Sequence, residues 1–296
     1  MSFKVASAEN LLSRVFLTPL NWVGTVVIFA LLAAGFLYFY PQVENFFVFF
    51  PQKQLDFSPS DWGLKAETVY FNSADDTRLH GWFVPPEKKE PVILFSHGNA
   101  GNISHRLDNV KRLKEMGLGV FIYDYRGYGK SQGRPSEGGI YEDGLAAYDY
   151  LVHERGIAPN RIVCFGRSLG ASVSIEIGRQ RTIRTLIIES GFTSTRDMGG
   201  ELLFFRSLSH LLPLHYNNIG KIAHVRVPKL IIHGTADDLV PFRMGQALYQ
   251  AASDPKYFFP IAGAGHNDTY EVGGAHYFDV FAQFARQGRA GRELKE

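Results

Sequence analysis

Apolar residues fall along this chain in three patterns, and the first is an unbroken run. From Trp22 to Tyr40, 19 consecutive residues carry no charge. A helix of that length reaches ~28 Å at ~1.5 Å per residue, close to the thickness of a hydrocarbon core. Trp22 at one end and Tyr38 and Tyr40 at the other suit the two interfaces, and Pro41 is expected to stop the helix. The run is overlong for a cleaved leader and ends in aromatics rather than a small-x-small site, so residues 22–40 read as a membrane anchor. Residues 1–21, with Leu11, Leu12, Val15 and Phe16 at helical spacing, read as an amphipathic segment. Residues 41–61 read as a linker, aromatic from Phe46 and polar from Gln52, so the soluble domain is expected over 62–296.

The second pattern is alternation around a turn. Lys65 to Phe71 and Arg78 to Val84 flank the polar residues Asn72 to Thr77, which predicts an antiparallel hairpin at a sheet edge. The third is a series of short apolar runs separated by amphipathic helices. Strands are expected near Val92–Phe95, Gly119–Tyr123, Ile162–Phe165, Leu186–Ile188, Lys229–Ile232 and Tyr257–Phe259. Ile103, Leu107 and Val110 form one helical stripe, and Tyr141, Leu145, Tyr148 and Val152 another. Such alternation predicts an α/β fold with a mostly parallel twisted sheet covered by helices on both faces.

Composition adds limits rather than a class. The formal charge of +2 over 296 residues argues against a nucleic-acid partner. A single cysteine, Cys164, rules out an intramolecular disulfide and a cysteine zinc cluster, and its place inside an apolar strand marks it as a core residue. Lys4 and Arg14 precede the apolar run while Glu44 and Lys53 follow it, a bias that leans toward a cytoplasmic N-terminus with the soluble domain on the other side. Two N-x-S/T strings, at Asn102 and Asn267, lie beside the site derived below, where a glycan would obstruct it, and read as accidental.

The candidate chemistry sits at the ends of the apolar strands, where open α/β sheets bind ligands. Ile162 to Phe165 runs straight into Gly166-Arg167-Ser168-Leu169-Gly170, a strand–turn–helix pattern that presents a serine on a strained turn and needs glycines where side chains would collide. A serine hydroxyl is a poor nucleophile at neutral pH and requires a histidine base oriented by a carboxylate. His266 follows the last strand in a glycine-rich loop, whereas His97 and His233 precede glycines and suit local hydrogen bonds, and His276 begins the final helix. Asp237 and Asp238 follow the penultimate strand, giving the order Ser, Asp, His expected for this architecture, with Asp237 preferred and Glu189 a substitute acid. The small-residue loop after the first parallel strand, 96–102, offers the N–H of Asn99 to a developing oxyanion, and the N–H of Leu169 is the second donor. Gly127, Gly129 and Gly133 have the wrong spacing for a dinucleotide loop.

Ser-His-Gly-Asn-Ala-Gly-Asn (96–102), Tyr-Asp-Tyr-Arg-Gly-Tyr-Gly-Lys-Ser (123–131), Gly-Arg-Ser-Leu-Gly (166–170), His-Gly-Thr-Ala-Asp-Asp-Leu-Val-Pro (233–241) and Gly-His-Asn-Asp (265–268) occur in order and resemble the α/β-hydrolase family. More narrowly they resemble its membrane-anchored serine hydrolases, some of which remove fatty acyl groups from protein cysteines. The resemblance covers about residues 50–287. It implies Ser168, Asp237 and His266 as the triad, with Asn99 and Leu169 at the oxyanion positions, and no metal or organic cofactor. The expected substrate is an acyl ester or thioester at a membrane; an amidase or peptidase on the same residues and a non-enzymatic membrane scaffold are the alternatives. A lid is expected over 191–227, where Leu202, Leu203, Phe204, Phe205, Leu208, Leu211 and Leu212 make an apolar stretch suited to an acyl pocket or to ordinary packing.

Overall fold

A computed structural model describes residues 19–201, 209 and 212–289. The amphipathic segment expected before the apolar run and most of the apolar stretch from Leu202 to Leu211 lie outside these residues. The described chain forms two units that divide after Val48.

The described residues of the first unit form a 30-residue helix, α1 (Pro19–Val48). Its segment Trp22–Val48 has a mean hydropathy of 2.1, carries most of its apolar side chains exposed, and is long and apolar enough to cross a membrane. The helix does not stop at Pro41. A proline removes one backbone donor and crowds the preceding turn, but Val43, Phe46, Phe47 and Val48 continue the apolar surface, and long apolar helices tolerate the interruption.

The second unit begins at Phe49. Its elements in order are β1 (Phe50–Pro51), β2 (Glu67–Asn72), β3 (Arg78–Val84), β4 (Val92–Ser96), β5 (Ala100–Gly101), α2 (Leu107–Glu115), β6 (Gly119–Asp124), α3 (Glu137–His153), β7 (Ile162–Arg167), α4 (Leu169–Gln180), β8 (Thr185–Glu189), α5 (Thr195–Glu201), α6 (Asn218–Ile222), β9 (Lys229–Gly234), α7 (Phe242–Ala251), β10 (Lys256–Ile261) and α8 (Thr269–Gln287). Eight strands form one sheet in the order β10-β9-β8-β7-β4-β6-β3-β2, while β1 pairs separately with β5. At one edge β3 pairs antiparallel with both β2 and β6, and every other pairing in the large sheet is parallel.

The residues explain this arrangement. Strands β4, β6, β7, β8 and β9 are buried at every position, as expected where helices cover both faces, whereas edge strand β2 alternates between exposed and buried. Ile103, Leu107 and Val110 are fully buried, so the first helical stripe faces the sheet. On α3, Tyr141 and Tyr148 are buried but Leu145 and Val152 only half-buried. The buried face there is rotated because Gly144 meets α4; a Cβ on it would stand 2.4 Å from Val173 Cγ1. Phe95 and Phe165 pack with tilted rings, centroids 4.5 Å apart, and Phe281 of α8 meets Phe165 edge-on at 5.0 Å, which fixes the centre of the sheet.

The segment 49–61 is not a tether. It lies in the second unit and pairs with the loop after β4, because Phe50 N and Gln52 N find carbonyl partners at Asn99 and Gly101. A two-residue strand leaves no periodicity to read in advance. Register brings the strand ends together: Ser96 sits beside Gly166, Arg167 beside Glu189, and Glu189 beside Ile232.

Candidate active site

Ser168 joins β7 to α4 with φ 53° and ψ −116°, a conformation that costs ~1–3 kcal/mol and persists only where its surroundings enforce it. They do so here by close approach. A Cβ on Gly166 would lie 2.1 Å from Gly170 O, and one on Gly170 would lie 1.9 Å from Ser96 O. Only glycine lets strand and helix close this tightly, and Ser168 N is pinned by donating to Glu189 O at 2.9 Å.

His266 reaches Ser168 from the loop after β10. Its Nε2 stands 3.0 Å from Ser168 Oγ and its Nδ1 2.8 Å from Asp237 Oδ2. The loops carrying His266 and Asp237 are joined through Ala236 N, which donates to Ala264 O at 2.9 Å. Asp237 Oδ1 accepts from Leu239 N at 3.1 Å and Val240 N at 2.8 Å, and His233 Nε2 lies 3.4 Å from Oδ2. Burial pushes the Asp237 carboxyl up, but hydrogen bonds from His233, His266 and the Val240 backbone hold it well below the usual carboxylate range. An ionised Asp237 only accepts, so we assign the His266 proton to Nδ1, which leaves the Nε2 lone pair facing the serine hydroxyl.

Among the oxyanion candidates, Leu169 opens α4, so its N–H has no partner one turn back. The loop after β4 packs directly on the serine: a Cβ on Gly98 would stand 3.7 Å from Ser168 Cβ. His97 Nδ1 donates to Gly98 O at 2.7 Å, which orients the Gly98–Asn99 peptide, while Tyr125 Oη donates to His97 O at 2.8 Å and Tyr128 Oη to Asn99 O at 2.6 Å. The Tyr-Asp-Tyr-Arg-Gly-Tyr motif is thus the scaffold of this loop. Full burial, opposed by the nearby Asp124 carboxylate, lowers the His97 pKa from 6.5 to about 4. Its native form is neutral, so this group's stabilisation is complete above 6.5 and lost as pH falls toward about 4. The difference corresponds to about 3 kcal/mol. The melting temperature should therefore fall between pH 7 and pH 4, and His97→Asn should flatten that fall; an unchanged slope in the variant would refute the assignment.

The structure also disposes of competing residues. Asp238 is exposed to solvent. His233 is fully buried and bonds Val240 O at 2.9 Å, and His276 is exposed. Glu189 is not a spare acid for His266: it is fully buried and accepts from Thr269 Oγ1 at 2.6 Å and from Tyr277 Oη, and it pairs with Arg167 Nε at 3.0 Å. Arg167 in turn donates from Nη2 to His266 O at 3.1 Å, a tether that sequence reasoning missed. Its only sequence signal was a charged residue inside an otherwise apolar strand end. Asn102 Nδ2 is buried and donates to Gln52 O and Gln54 O, so a glycan at that string is incompatible with this fold. Of the lid region, α5 and α6 are described, whereas Phe204 and Phe205 are not.

Comparison with known proteins agrees with this architecture. A family model described as serine aminopeptidase S33 matches residues 87–220. The protein Rv2307c of Mycobacterium tuberculosis is 36% identical over 261 residues, spanning 88% of this chain and 93% of the relative. The α/β-hydrolase domain-containing protein WAV2 of Arabidopsis thaliana is 36% identical over 253 residues, spanning 78% of this chain and 82% of WAV2. Among solved structures, the Pyrococcus furiosus esterase Pf2001 superposes with a TM-score of 0.68 at 20% identity, covering 80% of this chain and 97% of the esterase. Strand order, elbow and relatives agree, and the chain belongs to the α/β-hydrolase family.

Proposed function

We propose that this chain is a membrane-anchored serine hydrolase that cleaves carboxylic esters or thioesters, acyl or lipid-like, through an acyl-enzyme on Ser168. The observation that carries the proposal is the continuous contact from Asp237 through His266 to the strained Ser168, at 2.8 Å and 3.0 Å. His266 Nε2 takes the hydroxyl proton as Ser168 Oγ attacks the acyl carbon, and Asp237 stabilises the resulting imidazolium. The N–H groups of Asn99 and Leu169 receive the oxyanion. The imidazolium then protonates the departing alcohol or thiol, and a water deprotonated by His266 releases the acid and restores Ser168.

Two further points support the anchored ester reading. The P. furiosus structure with this fold is an esterase. The 27-residue segment Trp22–Val48 exceeds the ~20 residues a span needs, and Phe49, Phe50 and Pro51 follow it in place of the small residues of a cleavage site. A second reading, an amidase or peptidase on the same residues, is favoured by the serine aminopeptidase description of the matching family model.

A fluorophosphonate probe should label the full-length chain in detergent, and labelling should vanish in Ser168→Ala and His266→Ala. Equal labelling of the wild type and both variants would refute the site. Turnover of acyl thioesters and esters but not of aminoacyl amides would separate the first reading from the second.

A further inference from the structure

Only Phe49 separates the last residue of α1 from β1 in the chain. Taking the hydrolase reading above as its basis, we propose that residues 50–56 are a positioning clamp for the oxyanion loop, so that the stretch joining the apolar helix to the hydrolase fold belongs to the active-site machinery.

The contacts converge on one loop. Phe50 N donates to Asn99 O at 3.1 Å, and Gln52 N donates to Gly101 O at 3.0 Å. Asn102 Nδ2 returns bonds to Gln52 O at 3.1 Å and Gln54 O at 2.5 Å, Asp56 N donates to Ser104 Oγ at 3.1 Å, and His105 Nε2 meets Asp56 Oδ2 at 2.9 Å. On the other side the same segment holds the tyrosine loop, because Gly129 N donates to Gln52 O at 3.0 Å and Lys53 Nζ to Ser131 O at 2.9 Å.

Asn99 stands where these restraints matter. Its N–H belongs to a peptide whose carbonyl, Gly98 O, is held by His97, and in a trans peptide N–H and C=O point in opposite directions. Its own carbonyl takes two donors, Phe50 N and Tyr128 Oη. With both flanking carbonyls fixed, the Asn99 N–H direction is set before substrate arrives, which is the preorganisation that oxyanion stabilisation requires. The tyrosine alone is a single pivot; the strand pairing from Phe50 and Gln52 removes the rotation about it.

The test uses full-length variants assayed on a short activated ester, with active sites counted by fluorophosphonate. Phe50→Pro deletes the donor to Asn99 O. Asn102→Asp keeps the acceptor that Ser104 N uses but removes the amide that binds Gln52 O and Gln54 O. Losing one oxyanion donor costs roughly 100- to 1,000-fold in kcat, so a displaced donor should cost about 10- to 100-fold per active site, with KM within twofold. The Ki of a boronic acid, which forms a tetrahedral adduct on serine, should rise by a matching factor. A purely structural role would lower the melting temperature and the number of titratable sites while leaving kcat per site and the boronate Ki unchanged, and that result would overturn the clamp. Ester turnover that survives Ser168→Ala would instead overturn the hydrolase reading. Turnover that requires Ser168 yet ignores both clamp variants would overturn the clamp alone.

Discussion

Ser168→Ala is expected to lower kcat on an activated acyl ester by on the order of a millionfold, and Asp237→Asn by on the order of ten-thousandfold at neutral pH. The first loss follows from removing the hydroxyl that forms the acyl-enzyme in the proposed mechanism. The second follows from the way Asp237 is held. Its Oδ1 accepts from Leu239 N and Val240 N, so an asparagine must keep its oxygen there and turn its NH2 toward His266 Nδ1. That nitrogen can then no longer carry the proton, which moves to Nε2 and faces the serine hydroxyl as a donor rather than an acceptor. The serine loses its base although nothing has moved. Steady-state rates normalised to correctly folded protein, with circular dichroism as the check on folding, give the comparison. An Asp237→Asn enzyme within tenfold of wild type would remove Asp237 from its assigned role.

Much of this site was legible because buried parallel strands read as continuous apolar runs. The runs at Val92, Gly119, Ile162, Leu186 and Lys229 lie on β4, β6, β7, β8 and β9, and the residues following them are the ones the structure brings together. The elbow was legible for a second reason: a Cβ at Gly166 or Gly170 would lie 2.1 Å or 1.9 Å from a backbone oxygen, so both positions demand glycine. What escaped has no local signature. Phe50-Pro51 and Ala100-Gly101 are too short to show a period, and their pairing spans about fifty residues of chain. Pro41 taken alone reads as a helix breaker, whereas the apolar Val43, Phe46, Phe47 and Val48 carry α1 past it. Glu189 reads as a spare acid because its position at a strand end is visible in sequence, whereas its partners come from two distant segments, Arg167 from β7 and Thr269 and Tyr277 from α8.

Those partners carry the second large effect. Arg167 and Glu189 form a buried ion pair in which the carboxylate also serves two hydroxyl donors, so Glu189→Ala leaves a guanidinium and two hydroxyls without their acceptor in the interior. Breaking one partner of such a pair costs ~3–5 kcal/mol, whereas replacing both charges is often nearly neutral. At ~2–4 °C per kcal/mol for a domain of this size, the melting temperature of Glu189→Ala should fall by about 10 °C or more. The double variant Arg167→Met/Glu189→Gln removes both charges and keeps an amide oxygen for Thr269 and Tyr277, so most of that loss should be recovered. Activity should not follow. Arg167 Nη2 is the donor to His266 O at 3.1 Å, and without it the loop that aims Nε2 at Ser168 loses its tether. A misplacement of ~1 Å at a reacting group costs on the order of 100-fold, so the stable double variant should remain about 10- to 100-fold below wild type in kcat. Recovery of both melting temperature and kcat would reduce the network to a packing element. Recovery of stability alone would show that the residue between Gly166 and Ser168 holds the histidine loop in place as well as filling the core.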